Sequence, residues 1–177
     1  MGLPGGRRRM QELVRLHYEA LYRYAYRLSG SANEAADLTQ EAFCQAQAKF
    51  GQLRDTTRAK AWLFSILRNT YLHRVRDARR DKLVPLDYVG DLPERPPEQL
   101  SEIDAQVLQE ALNQLPEEFR SPLILYYFDD FSYRDIAEHM AVPIGTVMSR
   151  LARAKAYLRA KLLPVVADGL GRGSDGL

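Results

Sequence analysis

The sequence predicts an all-α chain in which two small helical domains are joined by a flexible acidic Pro-rich linker, the second domain being a helix-turn-helix. Three observations predict it. Apolar residues recur at intervals of three and four along both halves. There is no strand-like alternation of any length and no internal repeat. Residues 81 to 104 change character: Pro85, Pro93, Pro96 and Pro97 break any helix, and seven acidic residues stand against two basic ones, the composition of a linker. The 177 residues, 46% hydrophobic and 27% charged, suffice for two small cores in a soluble globular protein. The expected divisions are a first domain over 10–80, the linker over 81–100, a second domain over 101–163 and a disordered Gly-rich tail over 164–177.

In the first half, Leu13, Leu16, Leu21, Tyr24, Ala25 and Leu28 predict a helix over 11–29, stopped by Gly30. A second helix starts at Ala32-Asn33-Glu34 and runs to about Lys49, with Ala35, Leu38, Ala42, Phe43 and Ala46 inward and Asp37, Thr39, Gln40, Glu41 and Gln45 interleaved. Gly51 to Thr57 reads as a loop. A third helix over 58–80 sets Trp62, Leu63, Ile66, Leu67 and Leu72 against a cationic side of Arg58, Lys60, Arg68, Arg74, Arg76, Arg79 and Arg80. Such a side suits phosphate. Trp62, Asn69, Tyr71 and His73 are interleaved with it, which suits single-stranded DNA, whose bases stack or sit in pockets while the backbone tracks a groove. Trp62 reads first as a core anchor, from its spacing to Leu63 and Ile66.

In the second half, helices over 101–115 (Ile103, Val107, Leu108, Ala111, Leu112, Leu115) and 117–128 (Phe119, Leu123, Ile124, Tyr127, Phe128) build a core. Pro116 is expected at a first helical position, with Glu117 and Glu118 complementing the helix dipole and Pro122 restricting the helix start. Ser132 and Asp135 form a capping-box pattern with Asp for Glu, before a short helix burying Ile136, Ala137 and Met140. Pro143 cannot continue that helix, and after Gly145-Thr146 the residues Val147, Leu151, Ala154 and Leu158 recur on one face of another. Two helices joined by such a turn make a helix-turn-helix. From Ile144 to Lys161 the second carries Arg150, Arg153, Lys155, Arg159 and Lys161 and no acid. A merely solvated basic face would explain the charges alone, but the capped helix and Pro-containing turn before it favour a major-groove reader with residues 146 to 153 on base edges.

The stretches Leu115-Pro116-Glu117-Glu118-Phe119-Arg120, Phe131-Ser132-Tyr133-Arg134-Asp135-Ile136-Ala137-Glu138 and Val142-Pro143-Ile144-Gly145-Thr146-Val147-Met148-Ser149-Arg150-Leu151 resemble the fourth conserved region of bacterial sigma factors, specifically the extracytoplasmic-function (ECF) group. Asp37-Leu38-Thr39-Gln40-Glu41-Ala42-Phe43 is similar to the second conserved region, and Trp62-Leu63-Phe64-Ser65-Ile66-Leu67-Arg68-Asn69 to its minus-ten-opening element. The resemblance implies a sigma factor that binds core RNA polymerase and directs promoter-specific transcription initiation. It assigns polymerase contacts to Asp37, Leu38, Gln40, Glu41 and Phe43. Minus-ten DNA falls to Leu53, Arg54, Asp55, Thr56, Arg68, Asn69, His73 and Arg76. For the minus-thirty-five element it makes Met148, Ser149, Ala152 and Arg153 base-facing, with Thr146 and Arg150 on phosphate. Two departures stand out: Met148 replaces a common Arg or Lys, and Leu53-Arg54-Asp55 replaces an aromatic followed by Arg-Gly. A loop without that glycine is expected to take another backbone path. By the same resemblance the acidic linker threads the polymerase's active-site and RNA-exit channel, and control is by sequestration on an anti-sigma factor. The competing reading is a sigma-like mimic that titrates an anti-sigma factor without initiating transcription; the persistence of both basic faces weighs against it.

The net charge is only +2, so asymmetry rather than total charge is the signal. Cys44 is the single cysteine, expected as a core thiol in a reducing compartment. No apolar run approaches the length of a membrane span, and Arg7-Arg8-Arg9 precede no apolar stretch, so a cytoplasmic location without membrane insertion is expected. His17, His73 and His139 are dispersed, and no phosphate loop, metal-ligand cluster or nucleophile elbow occurs. The expectation is no enzyme, no cofactor, no metal and no small-molecule substrate.

Overall fold

The computed structural model describes residues 4–79 and 105–170, with side chains over 6–78 and 105–162. The linker expected over 81–100 lies outside the described residues, as do 171–177 of the expected tail. The chain divides into two compact units, 1–86 and 87–177. Among the described residues there are helices and no strand.

In the first unit, helices α1 (Pro4–Ser29), α2 (Ala32–Ala48) and α3 (Ala59–Arg79) pack pairwise on one another. Leu21, Leu28, Leu38, Leu63 and Leu67 are completely buried, each contributing about 1.5–3 kcal/mol. Tyr24 and Phe64 stack at the centre, ring centroids 4.8 Å apart. Gly30 ends α1 with φ 73°, the left-handed conformation for which glycine is suited, and its N–H donates to the Tyr26 carbonyl at 2.7 Å. Ser31 then caps α2 by accepting from the Glu34 N–H. The buried Thr39 and Thr70 hydroxyls are satisfied by the carbonyls of Ala35 and Ile66 one turn back. Where a plain loop was expected, two 3-10 turns, Phe50–Gln52 and Thr56–Arg58, lead into α3.

In the second unit, α7 (Ile144–Leu170) packs on α4 (Ala105–Gln114), α5 (Glu117–Phe128) and α6 (Tyr133–Met140). Leu112, Leu123, Ile124, Leu125, Ile136 and Val147 form its core. The capping box is complete: Ser132 Oγ accepts from the Asp135 N–H at 3.1 Å, and Asp135 Oδ2 accepts from the Ser132 N–H at 3.2 Å. Pro116 and Pro143 each sit one residue before their helix rather than in it, their carbonyls accepting the first helical bonds of α5 and α7. Pro122 is buried inside α5, which continues through it. Helix α7 runs to Leu170, so residues 164–170, expected in a disordered tail, are helical; Pro164 removes one backbone donor while its fixed φ remains helical, and the next glycine is Gly169.

Two burial expectations are corrected. Cys44 is exposed, because the inward stripe of α2 passes through Phe43 and Ala46 and leaves position 44 outside. Tyr71 is buried and Trp62 only half-buried, so the inner side of α3 is centred on Phe64, Leu67 and Tyr71.

Candidate nucleic-acid interface

On α2, Asp37 and Gln40 are exposed and Glu41 is half-exposed on one outer face, where Cys44 follows. Leu38 and Phe43, expected to touch a partner, point elsewhere. Leu38 is completely buried, and Phe43 stacks on Tyr18 of α1 with parallel rings 6.2 Å apart. Their part in this face is to fix its backbone. Glu41 is already engaged: one carboxylate oxygen accepts from Arg74 of α3, the other from the Gln45 amide at 3.2 Å. That amide also donates to Thr70 at 3.1 Å, so a polar chain crosses from α2 to α3.

The loop before α3 is ordered by Asp55. Its Oδ1 accepts from the Thr57 hydroxyl at 2.6 Å and the Thr57 N–H at 2.9 Å. Those two bonds, the side-chain one first, hold the Asp55 carboxyl below its ordinary range, with a smaller contribution from Arg58. This cap gives the loop a defined path without the expected glycine. Arg54, Asp55 and Thr56 are exposed and Leu53 half-buried. Asn69, His73 and Arg76 lie exposed at i, i+4, i+7 along α3, with Arg68 half-exposed beside them.

On α7, Met148, Ser149, Ala152 and Arg153 form a single exposed stripe, Met148 being 53% exposed. Val147, Leu151 and Ala154 anchor the opposite side in the core. Thr146 and Arg150 flank the stripe, half-buried. The Ser149 hydroxyl donates to the Thr146 carbonyl at 3.0 Å, and Arg150 pairs with Glu118 of α5 at 3.2 Å. Sequence reasoning missed the Arg150–Glu118 and Arg74–Glu41 pairs. Their only signal is charge complementarity between distant positions, which many other pairs share.

Among the described residues no group of His, Cys, Asp and Glu could hold a metal ion, and no helix is long and apolar enough to cross a membrane.

Residues 13–81 match the family described as sigma-70 region 2, and residues 105–158 that described as sigma-70, region 4. The chain belongs to the ECF sigma factors of the sigma-70 family. It is 35% identical over 156 residues to the ECF RNA polymerase sigma factor SigL of Mycobacterium tuberculosis, covering 86% of this chain and 88% of that one. It is 40% identical over 154 residues to the ECF RNA polymerase sigma factor SigE of Mycolicibacterium smegmatis, covering 84% of this chain. The match spans 59% of that longer relative. Among solved structures, it is similar to the sigma factor RpoE in complex with the anti-sigma factor NepR from Bartonella quintana, with TM-score 0.71 and 31% identity over 86% of this chain and 95% of that one. Sigma factors are DNA-binding initiation factors, not enzymes.

Proposed function

We propose that this ECF sigma factor acts in the cytoplasm, docking on core RNA polymerase through the outer face of α2, with Asp37 and Gln40 as direct contacts. Charge-assisted bonds from arginines across that interface suit both groups. The reading assigns the first domain to residues 10–80 and the second to 101–163. The loop carrying Leu53 to Thr56 and the Arg68, Asn69, His73 and Arg76 side of α3 take the minus-ten strand. Extruding a base from its stack costs a few kcal/mol, which stacking and edge hydrogen bonds in the loop must offset. The Met148 to Arg153 stripe enters the major groove of the minus-thirty-five element, where Arg153 is placed for a two-bond contact to guanine, worth about 1–3 kcal/mol.

The observation that supports this most is the stripe on α7: four exposed positions on one side, three core anchors behind them, and a capped helix and tight turn before them. Control by an anti-sigma factor is part of the proposal, supported by the likeness to a sigma factor solved in such a complex.

The test is a binding titration of the whole chain with bacterial core RNA polymerase beside the Asp37→Ala, Gln40→Ala variant, followed by transcription from a pool of promoter-like DNA. Tight binding that the double change weakens, with starts downstream of one shared pair of motifs, supports the function. Binding without transcripts points instead to a mimic that titrates an anti-sigma factor. Absence of binding refutes polymerase docking.

A further inference from the structure

We propose that Arg74 is an additional phosphate contact for single-stranded DNA, held in reserve by Glu41, and that polymerase docking at α2 releases it. The inference rests on the proposed docking of α2. Arg74 lies on the basic helix α3, next to His73, yet its guanidinium turns back to the Glu41 carboxylate on the docking face. Glu41 is therefore shared by two candidate surfaces and can serve one cation at a time at the oxygen Arg74 uses. The pair is of the exchangeable kind: the Arg74 and Glu41 side chains keep 37% and 43% of their surface in water. A burial deep enough to lock it would have left neither open to a competitor.

The second carboxylate oxygen strengthens this reading. It accepts from Gln45, whose amide is also tied to Thr70, and the Thr70 hydroxyl is satisfied in turn by the Ile66 carbonyl. These bonds keep Glu41 in place on α2 when Arg74 leaves. An arginine arriving from the polymerase can then take the vacated oxygen, and the Arg74 guanidinium, with its planar fork of donors, turns to phosphate. In the unbound chain the same pair keeps a cation from DNA, so single-strand affinity rises only once polymerase is present.

The test uses the whole chain, an end-labelled AT-rich single-stranded oligonucleotide and a salt series, with and without core RNA polymerase. Without polymerase, Glu41→Gln should tighten binding about threefold and steepen the slope of log affinity against log salt by about 0.7, the signature of one added phosphate contact on a single strand. In an Arg74→Gln background the same change should give no gain. A gain that persists there reports only the loss of a negative charge and overturns the proposal, as does an unchanged slope in a Glu41→Gln chain whose thermal unfolding matches wild type. Arg74→Gln alone keeps the question open to measurement if Glu41→Gln folds poorly: it should leave unbound-chain affinity unchanged and flatten the slope by about 0.7 in the polymerase complex. No change in that complex refutes the release. A wild-type chain that fails to bind polymerase refutes the docking and this inference together, whereas normal docking with any of the other negative results refutes the inference alone.

Discussion

Ala141→Gly should stabilise the second unit, and the sign follows from one backbone angle. Ala141 closes α6 in the left-handed conformation, φ 53° and ψ 45°, with its N–H donating to the Glu138 carbonyl at 3.3 Å and that of Val142 reaching the Ala137 carbonyl at 3.0 Å. An L-residue in that conformation bears about 1–2 kcal/mol from its Cβ against the following carbonyl. Glycine removes this strain but adds freedom to the unfolded chain, which costs about 0.4–1 kcal/mol. The Ala141 side chain is exposed, so its deletion leaves no cavity. The balance is a gain of about 0.5–1 kcal/mol, which raises the unfolding midpoint by roughly 3–6 °C for a unit of this size.

Trp62, the single tryptophan, lies in the first unit, so its fluorescence reports the wrong transition. Calorimetry and amide exchange at Val142 are the appropriate assays. Asp130 provides the internal comparison. It also has positive φ, 58°, but aspartate tolerates that region better than alanine, so Asp130→Gly should gain less. A fall in midpoint for Ala141→Gly, or a larger gain for Asp130→Gly, would refute the strain account.

Leu38→Ala should cost the first unit about 2–5 kcal/mol in chemical denaturation, while Asp37→Ala leaves its unfolding midpoint unchanged, separating the buried from the exposed half of the proposed docking motif. Arg153→Ala should lower affinity for the preferred minus-thirty-five duplex by about 1–3 kcal/mol and relax selection at a single base pair, read by competition binding against single-position variants. Burial first, and the Lys60 ammonium second, hold the His17 imidazole below its usual pKa, so folding disfavours its protonation. Stability should therefore be complete above the unfolded value of about 6.5, decline as pH falls toward the lowered folded value, and level off beneath it. His17→Gln should remove that acid-side decline in denaturant midpoints measured across pH.

The helices were legible wherever period and cap agreed. Ser132 with Asp135 marked the start of α6, and Gly30 the end of α1, because each rests on bonds within a single turn. Burial within a helix was harder. Phe64 and Tyr71 belong to the core of α3, but its basic residues and scattered aromatics blur the apolar stripe, and which aromatic turns inward is decided by Tyr24 on another helix. The same limit explains Cys44, one position off an inward stripe, and Glu41, whose partner Arg74 lies 33 residues away. No local pattern selects Arg74 from the other arginines of α3. Met148 was legible as a departure from the family's basic residue, and its exposure places it on the outward stripe of α7.

The two candidate DNA surfaces differ in how deeply they are anchored, in the way their proposed substrates require. The α7 stripe stands on Val147, Leu151 and Ala154, all buried, and its helix begins behind a capping box and a closed turn. Duplex DNA presents a preformed groove, so a reader already fixed in register loses little conformational freedom on binding and can discriminate by small displacements. The loop from Gly51 to Arg58 contains no buried residue, and its internal bonds include those of two 3-10 turns and the Asp55 cap. A strand leaving its duplex arrives in many conformations, and a loop with no buried side chain can adjust its outer groups around an extruded base, with the ordering cost drawn from stacking and phosphate contacts along α3. Burying the base of the α7 stripe and leaving the loop's side chains exposed would thus serve one end, matching each candidate surface to the form of DNA proposed for it.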